Sequence, residues 1–176
     1  PAGSPSRTSV QSTPESIQHW VEHIRADDAR RGRRSVHMYI LDTDTLTHLH
    51  AGHPRVIANL RSVDDPDVVI TIITKIELLR GRFDSVLKAD SGAGLLRAQE
   101  LLARTEVLLA QLQILPFDTA AAAQFDRLRI QSSVSKIGRA DLLIAAIALA
   151  QRAPLVTRNV RHFRQVPNLR LFNWVD

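Results

Sequence analysis

Hydrophobic positions fall in short blocks along this chain, and their spacing switches repeatedly between strand-like runs and helical periods. Met38 to Leu41 is an apolar run that leads straight into Asp42, followed by a polar turn (Thr43, Asp44, Thr45) and helical residues to Ala51. Gly52-His53-Pro54 breaks that helix and starts another over Arg55–Val63, with Val56, Ile57, Leu60 and Val63 on one face. Val68 to Ile73 is a continuous β-branched run, as expected of a strand buried on both faces. Thr74 is placed to cap a helix over Lys75–Val86, in which Gly81 offers room for another backbone. A long helix is expected over Leu95–Gln113, with Leu95, Ala98, Leu102, Val107 or Leu108, and Leu112 inward. A short strand over Ile114–Phe117 precedes Asp118, which caps a helix over Thr119–Ile130. Arg139 to Arg152 is almost wholly apolar and belongs in a core. Strands over Pro154–Thr157 and Leu169–Trp174 close the chain.

Strands that alternate with helices and look buried predict an α/β fold, a parallel sheet between helical layers. The first 37 residues read differently. Residues 1 to 14 are rich in Ser, Thr and Pro and cannot bury enough surface to order themselves. Ile17, Trp20, Val21 and Ile24 recur at helical spacing and predict one short amphipathic helix, followed by an arginine-rich tail (Arg30, Arg31, Arg33, Arg34). Residues 1–37 are therefore expected to be an extension of a domain over 38–176, and the length suits one domain with an appendage.

Composition narrows the function. The longest apolar run, Leu142 to Ala150, is far shorter than the ~20 residues that span a bilayer, so no membrane segment is expected. No secretory signal pattern is visible, and the lack of cysteine excludes disulfides and thiolate metal sites, which fits the cytoplasm. The net charge of +5 favours polyanionic partners such as nucleic acid.

Against that basic background, three carboxylates stand at element boundaries: Asp42 after strand one, Glu77 after strand two, and Asp141 at the start of the apolar helix. In open α/β sheets, strand ends and helix starts converge on one edge, where ligands bind. Three carboxylates brought together there repel each other, and burial raises their pKa values. A hard divalent cation such as Mg²⁺ or Mn²⁺ removes the conflict, and a cation-activated water suits phosphodiester hydrolysis. The structural alternative is a strand-end cap for Asp42 and helix-start acids for Glu77 and Asp141. Glu77 and Asp141 both sit among apolar neighbours, where an acid needs a partner.

YILDTDTL, TIITKIELLRG, IGRADLLIAAIALA, PLVTRNVRHF and LRLFNW, in this order and spacing over residues 38 to 176, resemble a PIN domain, and more narrowly a VapC-type toxin of a toxin–antitoxin pair. The resemblance implies a three-layer α/β/α sandwich with a central parallel sheet, and an Mg²⁺- or Mn²⁺-dependent endoribonuclease that hydrolyses RNA with a metal-activated water. It implies Asp42, Glu77 and Asp141 as metal ligands, Asn159 as a fourth catalytic position where some members carry Asp, and a supporting role for Asp44. His162 stands where many members carry an acid. Neither Asn159 nor His162 is acidic, which counts against a second metal site. The resemblance also implies a homodimer and a cognate antitoxin. Members usually begin near Met38. Residues 1–37 are then a leader, or a fused antitoxin remnant covering the site in cis.

Arg80, Arg82, Arg139, Arg158, Arg161 and Arg164 flank the acidic segments; Arg80, Arg139, Arg158 and Arg161 are the candidates for holding RNA phosphates. Two rival readings of the protein are open. With a fourth acid missing, it would be a non-catalytic RNA-binding or operon-regulating partner of an antitoxin. YILDTDTL also fits a haloacid-dehalogenase-type phosphatase, with Asp42 as nucleophile and Asp44 as general acid, although no later acidic pair follows. His48, His50 and His53 are expected to be exposed, and Trp174 to pack.

Overall fold

A computed structural model describes residues 37–63 and 66–176. The leader, its short helix and its arginine tail lie outside the described residues. The elements are β1 (His37–Leu41), α1 (Thr43–His50), α2 (Pro54–Ser62), β2 (Pro66–Thr71), α3 (Ile72–Leu87), α4 (Gly92–Gln111), β3 (Gln113–Leu115), α5 (Thr119–Arg129), α6 (Arg139–Ala150), β4 (Leu155–Val156), α7 (Val160–Phe163) and β5 (Leu171–Phe172).

All strand pairings are parallel, in the order β3-β2-β1-β4-β5. The chain builds outward from β1 through β2 to β3, then returns to the other side of β1 for β4 and β5. The order therefore reverses between β1 and β4, which are registered Leu41 to Val156. At such a switch point the connections leave in opposite directions and open a crevice beyond the strand ends.

Side-chain alternation sorts the sheet into two cores. Ile40, Val69 and Leu155 face α5, α6 and Phe163 of α7, whereas Leu41, Ile70 and Val156 face α1, α2, α3 and α4. Helices on both faces make the expected three-layer sandwich. α6 buries Leu142 and every residue from Ile144 to Ala148, which is why its sequence lacks a polar face. Trp174 is buried with its ring 5.2 Å from that of Tyr39, the packing role expected of it.

Several expected boundaries move. The β-branched run Val68–Ile73 hides the end of β2, because Ile72 and Ile73 pack against the core from the first turn of α3. The N-cap of α3 is Thr71, not Thr74: the Thr71 hydroxyl accepts the Thr74 N–H at 3.0 Å. Glu77 consequently lies in the second turn of its helix. Gly81 admits no neighbouring backbone, since a Cβ there would meet nothing within 4 Å. In α4 the buried residues are Thr105, Leu108 and Leu109, while Leu95 and Val107 are exposed. Ser91 caps this helix, which begins at Gly92, three residues before Leu95, and this shifts its start and its inner face.

Two helices end in the same paired hydrogen-bond motif. After α1, His53 N–H donates to the His48 carbonyl and Gly52 N–H to that of Leu49; after α6, Ala153 N–H donates to Ala148 and Arg152 N–H to Leu149. The left-handed residue is Gly52 (φ 75°) in the first and Arg152 (φ 52°) in the second. A side chain in that region costs about 1 kcal/mol relative to glycine.

Candidate active site

Asp42 is the first residue past β1, and its backbone N–H donates to the Val156 carbonyl at 3.1 Å, across the switch point. Its carboxylate is the N-cap of α1, with Oδ1 accepting the Thr45 N–H at 2.7 Å. The Thr157 hydroxyl accepts the Asn159 N–H at 3.0 Å and turns its own proton to Asp42. Burial nevertheless holds Asp42 above the ordinary carboxylate range, since these hydrogen bonds only partly offset lost solvation and the Asp44 charge adds to the shift. Asp42 is 7% exposed, so a bare charge there is costly.

Glu77 reaches the same place from α3. The Thr43 hydroxyl donates to its Oε2 at 2.6 Å, tying the first residue of α1 to the second turn of α3. Asp141 lies in the first turn of α6, where the helix dipole favours an acid. Its Oδ2 is 3.2 Å from His162 Nε2. Burial raises the Asp141 pKa, His162 opposes the shift, and the charges of Glu77 and Asp42 push it up further. The three carboxylates therefore feel one another across a common space.

That space is a cleft of about 290 Å³ lined by Asp42, Thr43, Asp44, Glu77, Asp141 and Asn159, with Ile144 and Phe163 as apolar walls. All four positions expected to be catalytic are present. Thr43, Thr157 and His162 complete the polar setting; the two threonines were not singled out from sequence, although the Thr43 hydroxyl stands directly beside Asp42 in LDTDT.

Among the described residues, no group of three or more His, Cys, Asp or Glu side chains stands in ready ion-holding geometry. The carboxylates share the cleft with oxygens turned to Thr45, Thr43 and His162 instead. Their chemistry fits a hard divalent cation: oxygen donors, mutual repulsion, and two carboxyls whose pKa values are raised by burial.

The flanking arginines divide. Arg82 donates from Nε to the Thr105 hydroxyl at 3.0 Å, so it braces α3 against α4 instead of facing the cleft. Arg139 lies over the Phe125 ring at 5.4 Å, and Arg158 pairs with Asp176 at 3.3 Å. Arg80, Arg161 and Arg164 are exposed. The histidines expected at the surface are partly buried: the His48 and His53 rings meet edge to face at 5.1 Å, and His48 Nε2 is 3.7 Å from Asp44 Oδ2. None of the three lines the cleft.

A family model for the PIN domain matches residues 39–169. The chain belongs to the PIN-domain family. Its similarity to Ribonuclease VapC2 of Rickettsia felis is 30% identity over 141 residues, covering 78% of this chain and 98% of that protein. Ribonuclease VapC1 of Haemophilus influenzae is 33% identical over 141 residues, again covering 78% and 98%. Among solved structures, the Rickettsia felis VapBC2 complex bound to a promoter DNA fragment matches with a TM-score of 0.63 at 29% identity, over 78% of this chain and 98% of that one. FitAcB of Neisseria gonorrhoeae matches with a TM-score of 0.62 at 30% identity, over 77% and 97%. This PIN domain is of the VapC type. The match displaces the phosphatase reading of Asp42 and Asp44, whose carboxylates line a PIN cleft together with Glu77 and Asp141.

Proposed function

We propose that this chain is the toxin of a toxin–antitoxin pair, an endoribonuclease that hydrolyses RNA phosphodiester bonds with Asp42, Glu77 and Asp141 as ligands for Mg²⁺ or Mn²⁺. The observation that carries the reading is the meeting of three carboxylates from three distant segments in one cleft at the switch point of a PIN-domain sheet. When bound, the cation supplies an easily deprotonated water and offsets charge building on the phosphate.

The chain's own residues set up the rest. Thr45 and Thr157 hold Asp42, Thr43 orients Glu77, and His162 orients Asp141 while opposing its surplus negative charge. Such partners of ligands fix the direction of their oxygens. Asn159, in the rim beside Thr157, offers a neutral amide to orient the attacking water or a phosphate oxygen. Asp44 supports the site from the exposed lip. Arg80, Arg139, Arg158 and Arg161 hold flanking phosphates, and single-stranded loops, whose bases splay out, are the suited substrate.

This reading carries a homodimer, a cognate antitoxin that silences the cleft, and action in the cytoplasm. The PIN domain spans 38–176, with 1–37 as an extension of it. Among the described residues no helix is long and apolar enough to cross a membrane.

The test is cleavage of RNA by the full chain with added Mg²⁺ or Mn²⁺, beside Asp42→Asn. Asparagine keeps the helix cap. Expected are cation-dependent cleavage by the wild type and a loss of at least about a hundredfold in the variant. RNA binding without cleavage under both cations would make the protein a non-catalytic partner instead.

A further inference from the structure

A second cleft, about 560 Å³, opens at the other end of α6 from Asp141. Arg152 lies eleven positions after Asp141, so the two openings lie about 16 Å apart along the helix. The second cleft is bounded by the C-terminal ends of α5 and α6 and by the approach to β5, the edge of the sheet where strands begin. Its floor is apolar. Its rim carries Arg127, Arg152 and Arg170, with the amides of Gln124, Gln131 and Asn168, and no acidic side chain.

Among the described residues no carboxylate pairs with any of these three arginines, whereas Arg104, Arg129 and Arg158 each have one. Arg170 is aimed by donating to the Arg152 carbonyl at 2.6 Å. The backbone adds an independent sign. Arg152 and Asn168 are the described non-glycine residues with positive φ, and both line this cleft. Arg152 occupies the helix-ending position that Gly52 fills after α1, so a cationic side chain is kept there against backbone preference. Strain retained at a site is a mark of use.

We propose that this cleft is a second RNA site, holding phosphates of a folded RNA whose scissile strand lies in the carboxylate cleft. The chemistry is that of a phosphate-dense polyanion: three guanidinium forks for phosphate oxygens, and neutral amides for ribose hydroxyls. It rests on the ribonuclease reading. A dinucleotide, shorter than the ~16 Å between the openings, engages one of them at a time, whereas a hairpin stem is long enough to engage both.

The test uses the full chain with a chelator present, so that binding is read without cleavage. Affinities for an RNA hairpin and for a short single strand are measured across a salt series for the wild type, Arg152→Gly and the Arg127→Gln/Arg170→Gln double variant. Expected is a fall in the hairpin-to-oligonucleotide affinity ratio of about tenfold, with the double variant's log–log salt slope shallower by about two. Arg152→Gly is also expected to melt higher than the wild type, so a loss of hairpin affinity in that variant is not a folding defect. An unchanged ratio and slope, or equal losses on both RNAs, overturns the proposal. So does a polyglutamate peptide that needs these arginines while hairpin affinity does not, which would assign the cleft to an acidic protein segment. Cleavage with Mg²⁺ is assayed separately: its absence sinks the ribonuclease reading, while the binding series still decides the cleft.

Discussion

His162 Nε2 stands 3.2 Å from Asp141 Oδ2, joining α7 to the first turn of α6 at the mouth of the carboxylate cleft. His162 brings an imidazole, not a further carboxylate, to that mouth. A histidine there opposes the repulsion that Glu77 and Asp42 exert on Asp141. His162→Phe removes that support. The variant is expected to need several-fold more Mg²⁺ for half-maximal cleavage, as loss of a ligand's partner typically does. A cation titration of initial rates checks this.

The raised pKa values of Asp42 and Asp141 set the pH behaviour. Both groups hold their protons to higher pH in the folded chain than in the unfolded one, whose ordinary value is 3.8. Their stabilising contribution is complete below 3.8 and is lost as pH rises through the folded values. At neutral pH the two charges therefore weigh against the cation-free fold. Asp42→Asn is expected to raise the melting temperature without cation, and added Mg²⁺ to raise that of the wild type more than that of the variant. Cleavage, which needs the charged forms, is expected to fall on acidification at a pH above 3.8. Thermal melts and a pH–rate profile read both effects.

Thr43 has no chemistry of its own, yet it holds Glu77. Thr43→Val preserves the shape of the first turn of α1 and removes the hydroxyl. Cleavage efficiency is expected to drop about tenfold with the melting point changed little. Thr43→Ser, which keeps the donor, is expected to recover most of the loss.

Arg82 distinguishes a brace from a substrate contact. Its bond to Thr105 ties α3 to α4, so Arg82→Gln is expected to lower stability by about 1 kcal/mol and leave RNA affinity unchanged. Arg161→Gln, at an exposed position, is expected to do the reverse, weakening RNA binding and its salt dependence. Denaturant melts and binding in a salt series separate the two.

Alternating apolar blocks were enough to place the five strands and the longer helices to within a few residues, but not the single turn of α7. The run from Leu142 to Ala150 announced a core helix, because only burial on every side tolerates such a sequence. Asp42, Glu77 and Asp141 were legible as acids in places where an acid needs a reason. The sequence did not reveal the cap of α3, since β-branched residues suit both a buried strand and a packed first turn. It also left the arginines undivided, because Arg80, Arg82 and Arg161 look alike until their neighbours are known. Only the tertiary structure could pair Thr43 with Glu77, set His162 on Asp141, and leave Arg127, Arg152 and Arg170 facing one cleft. Those relationships depend on which strand ends lie side by side in the sheet. Local periodicity determines what an element is, whereas strand order and register decide which distant side chains come within hydrogen-bonding reach.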